Sequence, residues 1–158
     1  MLLLPPNISG FYCSKSPEHK SDLQMFQKYS YTVASLTGSR IVSAELPAGY
    51  PMNYARITFR LSDSSHTNTK VAVLLNTIHP YMAFVSPMPG KAVNTCFIDA
   101  LVLANVYHSF SQYEILSAAQ AQTPLEPAHY QKLNKAELSQ IRSWRPKTVG
   151  EVVFNDWD

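Results

Sequence analysis

Hydrophobic and polar positions alternate most cleanly between Asn53 and Leu61. Ala55, Ile57, Phe59 and Leu61 interleave there with Tyr54, Arg56, Thr58 and Arg60. A period of two puts one set on a core and the other in water, as in an antiparallel sheet. Val71 to Leu75 is a continuous apolar run, which suits a central strand buried on both faces. Arg40 to Leu46 and Tyr81 to Val85 read as further strands, the latter after a bend at His79-Pro80. Four consecutive strands with short connections predict an antiparallel meander.

The flanking segments carry a helical period. Ser16-Pro17-Glu18 has the residues of a helix start: a capping hydroxyl, a proline for the first position and an acid for the dipole. Leu23, Phe26 and Val33 continue one face towards a stop at Gly38. Residues 29–36 are partly β-branched and aromatic, which leaves a strand with a hairpin at Thr37-Gly38-Ser39 as the other option. Beyond the strands, Asn94 or Thr95 caps a helix running to about Tyr107. Phe97, Ile98, Leu101, Val102, Leu103 and Val106 make it apolar almost all round, which predicts burial on most sides.

Residues 1–15 read as extended, because Pro5, Pro6 and Gly10 block regular structure. Ser111 to Ala121 holds at most a short helix, and Pro127 opens another helical turn. Asn134-Lys135-Ala136-Glu137 has the logic of a capping box, before a helix with Leu138, Ile141 and Trp144 on one face. Thr148-Val149-Gly150-Glu151 is a second box, for a terminal helix through Val152, Val153, Phe154 and Trp157. The expected class is α+β: an N-terminal helix, an antiparallel sheet of about four strands, and C-terminal helices packed on the sheet. Residues 1–158 form a single domain, a size that buries a core without staples.

Composition narrows the function classes. The formal charge is +2 and the basic residues are scattered, with Arg142, Arg145 and Lys147 the densest group. That is not the footprint of a nucleic-acid binder. Met1-Leu2-Leu3-Leu4 is too short for a signal peptide and ends at two prolines, and no stretch reaches the length of a membrane span. The expected compartment is the cytoplasm, with Cys13 and Cys96 as reduced thiols. No Cys/His spacing suits a metal, so none is expected. Gly90-Lys91 is followed by Ala92 and lacks the rest of a phosphate loop, so no cofactor is expected either.

Two constellations carry chemistry. Cys96 falls in the first turn of the helix expected after Asn94, where the dipole favours a thiolate. That arrangement suits a cysteine hydrolase or acyltransferase using Cys96 with a histidine, His108 first, with His79 and His129 as other bases and Asp99 or Asn105 as orienting groups. A structural cysteine on a core helix is the ordinary alternative. The second constellation is Tyr54, Arg56 and Arg60, on the polar side of the clearest strand. Tyrosine and arginine are typical anchors of protein interfaces, so these three form the expected partner-binding surface. Glu151, Asp156 and Asp158 add acids near the C-terminus.

The tail Trp144-Arg145-Pro146-Lys147-Thr148-Val149-Gly150-Glu151-Val152-Val153-Phe154-Asn155-Asp156-Trp157-Asp158 resembles a closing motif of small bacterial proteins. These are the immunity proteins of polymorphic and contact-dependent inhibition toxin systems. The resemblance implies a small, cytoplasmic, non-enzymatic protein without cofactors. Its partner would be a cognate toxin domain, neutralised by covering its active site or substrate surface.

Overall fold

Leu23–Thr37 forms one helix, α1. In the computed structural model, residues 2–12, 17, 19–47, 51–62 and 69–158 are described. Residues 29–36 are helical because Phe26, Ser30, Val33 and Ala34 line one buried face at helical spacing. Gly38 then ends the helix in the left-handed region, at φ 67°. The start differs from expectation, and Ser16 and Glu18 lie outside the described residues. Asp22 is the cap, its carboxylate accepting from the Met25 N–H at 2.9 Å. Just before it, Ser21 is tied to the sheet, donating to the carbonyls of Asn76 and Thr77.

Five strands follow in chain order and pair antiparallel: β1 (Arg40–Glu45), β2 (Tyr54–Arg60), β3 (Lys70–Asn76), β4 (Tyr81–Val85) and β5 (Phe97–Ile98). A sixth, β6 (Glu114–Ile115), runs parallel to β4 against its first half, while β5 holds the second half. The meander is as expected; the two short strands make the sheet mixed and slightly larger. Phe97 and Ile98 therefore do not join a helix from Asn94. A 3-10 turn, Val93–Thr95, leads into β5, and the helix α2 begins only at Leu101 and ends at Ser109. Pairing with Phe84 and Val85 satisfies backbone groups that the sequence pattern alone gave to the helix.

The sheet is covered on both faces. Ala55, Ile57, Phe59, Val73, Leu75 and Phe84 pack with α1 and with Leu103, Ala104 and Tyr107 of α2. Tyr54, Ala72, Leu74 and Val85 pack on the other side with Leu4, Ile8 and the C-terminal part of the chain. That part contains α3 (Ala118–Ala121), a 3-10 turn at Pro127–Tyr130, α4 (Lys135–Trp144) and α5 (Val149–Val153). The second face explains why Tyr54 and Thr58 are buried although the alternation put them in water. α2 departs in the opposite sense: only one of its faces packs on the sheet, and Leu101 and Val102 are 72% and 65% exposed.

Both ends of the chain are tied to the sheet by buried polar groups. The side-chain amides of Asn53 and Asn76 each donate to the carbonyls of Ile8 and Val153, at 2.7–3.0 Å. Asn155 donates its backbone N–H to Asn53 Oδ1 and its side-chain amide to the Ser9 carbonyl. Glu137 completes the expected capping box with Asn134. It is also fully buried and accepts from the backbone of Asn7 and Ser9 and from the Ser9 hydroxyl. In α5, Thr148 caps as expected, but the Glu151 carboxylate reaches back to the Lys147 N–H. The helix ends before Phe154, and Trp157 lies beyond it, stacked parallel to Trp144.

Candidate functional site

β1 is an edge strand. Arg40, Val42, Ser43, Ala44 and Glu45 are all exposed, and only Ile41 turns towards the core beneath α1. Among the described residues, no strand pairs with its outer side. The register shifts between Ile41 and Ser43, so the strand carries a bulge there. Unpaired N–H and C=O groups on such an edge are ready to pair with an added strand.

Behind the edge, β2 presents the expected trio in altered form. Tyr54 is 6% exposed and packs edge-on against Phe154, so it belongs to the core and not to a binding surface. Burial raises its pKa above the ordinary 10.0, while the nearby Arg56 opposes that rise. Arg56 does lie at the surface. One of its terminal nitrogens donates to both oxygens of Glu45, at 2.7 and 2.8 Å. That half-exposed ion pair fixes the two side chains but adds little stability. Among the described residues, Arg60 has no such acid. Its strand neighbours are Arg40 on one side and Lys70 on the other. The Arg60 Nε is sealed from solvent and has no hydrogen-bond partner among the described residues.

The cysteine constellation loses its geometric basis. Cys96 closes the 3-10 turn at φ −119°, ψ 41°, and so lies outside any α-helical first turn. Its sulfur is 3.7 Å from Thr95 Oγ1 and 3.9 Å from the Ala92 carbonyl. His108 is exposed on the last turn of α2. Asn105 is exposed on α2, and the other three candidate groups make hydrogen bonds elsewhere. His79 Nε2 meets the Pro6 carbonyl, His129 Nδ1 accepts from the Glu126 N–H, and Asp99 accepts from the Ala118 N–H. Cys13 and His66 lie outside the described residues.

Among the described residues, no group of three or more His, Cys, Asp and Glu could hold a metal ion. None of the described helices is long and apolar enough to cross a membrane. The Arg40–Arg60–Lys70 row escapes a reading along the chain, because register brings together residues from three strands. No family model matches this chain, and no curated protein or solved structure matches it.

Proposed function

We propose that this chain is a protein-binding module, an immunity protein that neutralises a cognate bacterial toxin domain in the cytoplasm by occluding it. The observation that carries this reading is the exposed edge strand β1. Adding a strand to such an edge gives main-chain hydrogen bonds for affinity, while side chains on alternate faces give specificity. The charges for that specificity are at hand: Arg40 and Glu45 at the two ends of β1, with Arg56 and Arg60 behind them. Bulges and terminal charges keep an open edge from pairing indiscriminately, and β1 has both. The tail that resembles the immunity motif supports the reading differently. Phe154, Asn155 and Trp157 are buried there and anchor the end of the chain on the sheet. They hold a shared scaffold, and partner choice is left to the surface.

The test is capture of the tagged chain from its own host, with mass spectrometry of what comes with it. A stoichiometric partner carrying a toxin domain, and rescue of cells that express that domain, are the expected results. Capture of no protein, or a neighbouring toxin that kills equally with and without this chain, would sink the proposal. Cys96→Ala is expected to rescue as well as the parent.

A further inference from the structure

Three cations stand side by side across three strands. Arg60 of β2 lies opposite Arg40 of β1 and opposite Lys70 of β3. Directly opposite residues share one face of the sheet, with Cβ atoms ~5 Å apart, and like charges at that spacing repel. Among the described residues no ion pair answers the row, and Glu45, opposite Arg56, is taken by that arginine. Arg60 adds a second, independent sign: among the described residues its Nε is buried without an acceptor. A buried donor left unmet is costly, and a guanidinium is a fork of donors matched to an oxyanion. Arg56, four residues away on the same face, shows what an answered arginine looks like here, with two oxygens within 2.8 Å.

We infer that the Arg40–Arg60–Lys70 row is an oxyanion site that receives carboxylate side chains from an acidic segment of the protein partner. The owner of the carboxylates rests on the binding function proposed above. Position favours a protein as that owner. Arg40 lies on the open edge strand, so a segment pairing with β1 brings its own side chains into line with the row. The guanidinium of Arg60, turned towards such a ligand, gains the acceptor that Nε lacks. Arg40 and Lys70 flank the same charge, so each repulsion within the row becomes an attraction to the ligand. A chain of formal charge +2 that carries such a row suits an acidic partner surface.

The experiment uses the full chain, labelled with nitrogen-15, and follows the arginine Nε–Hε resonances. One titration adds a capped penta-glutamate peptide, another inorganic phosphate, both at constant ionic strength. The expected result is a saturable shift of the Arg60 signal with the peptide, while Arg56, held by Glu45, moves little. Lys70→Gln, at an exposed position, is expected to weaken the response about tenfold, and Arg60→Gln to abolish the affinity measured through neighbouring backbone signals. An Arg60 signal that stays still, or that moves in step with Arg56, overturns the site. A response to phosphate but not to the peptide overturns the carboxylate assignment. The same two variants are then used for capture from the host. A partner held equally by both variants and the parent sinks the site and leaves the binding function standing. A saturable Arg60 response with no protein captured does the opposite.

Discussion

The Ser9 hydroxyl donates to the Glu137 carboxylate over 2.6 Å, although the two are 128 positions apart in the chain. Both residues are fully buried. The same carboxylate takes the backbone N–H groups of Asn7, Ser9 and Asn134, so one side chain caps α4 and fastens the N-terminal segment to it. Glu137→Gln keeps the volume but turns an amide donor onto groups that are themselves donors. The expected loss is about 3 kcal/mol, from buried N–H groups left without a charged acceptor. Ser9→Ala removes one of the bonds and is expected to cost about half as much. Urea unfolding of both variants checks this. A loss below about 0.5 kcal/mol for Glu137→Gln would mean that the knot carries no weight.

Gly150 sits in α5, between α3 and β5. A Cβ there would lie 2.9 Å from the Ala121 carbonyl oxygen and closer still to the Phe97 ring. The ring is packed against Phe154 and belongs to the core, so it has no free direction in which to move. Gly150→Ala is therefore expected to destabilise by about 3 kcal/mol, although alanine is the better helix former. The thermal midpoint should recover in part when Phe97→Leu is added. A single variant that melts with the parent would show that the contact yields without cost.

Tyr107 and Tyr113 set a limit at high pH. Burial raises both, Tyr113 to about 12 and Tyr107 further; the hydrogen bond between Tyr107 and Ser30 opposes the rise at Tyr107. An ordinary tyrosine in the unfolded chain ionises near 10. Below pH 10 both states keep the proton and these groups contribute their full stability. Between pH 10 and about 12 the unfolded chain gives up protons that the folded chain holds, so stability falls as pH rises. Unfolding free energies measured at pH 9 and pH 11 should show the decline, and Tyr113→Phe should make it shallower. An unchanged slope in that variant would count against the assignment to Tyr113.

The row of cations predicts a gain from removing charge. With no partner bound, Lys70→Gln or Arg40→Gln is expected to stabilise the chain by up to about 1 kcal/mol, because each removes a like charge opposite Arg60. The gain should shrink as salt rises, since the Debye length falls to about 3 Å at 1 M, below the ~5 Å spacing of the row. Denaturant midpoints at low and high salt measure both effects. Variants less stable than the parent at low salt would show that the row is not repulsive.

Much of the architecture was written along the chain. The α+β class, the four antiparallel strands, the stop at Gly38 and the Asn134–Glu137 box all rest on contacts between near neighbours in sequence. Period and capping chemistry are local, so they survive being read without a fold. The helical outcome for residues 29–36 lay at the border of that rule. Side-chain preference left it open, and the buried face of α1 against the sheet decided it.

Where later chain folds back onto earlier chain, only the tertiary structure decides. Tyr54 alternates as a solvent-facing residue, but Phe154 comes from a hundred residues further on and covers it. Phe97 and Ile98 fit a helix by composition, yet the free edge of β4 offered hydrogen bonds that made them a strand. That choice removed Cys96 from a helix start. Glu137 was legible as a cap but not as the anchor of Asn7 and Ser9. Arg60 was legible as a polar position, but not as the middle of a cationic row, which only the register of β1, β2 and β3 creates. Local periodicity specifies which face a residue takes within its own element. What that face meets depends on long-range packing, where the free energy of burial and of satisfying polar groups outweighs local preference.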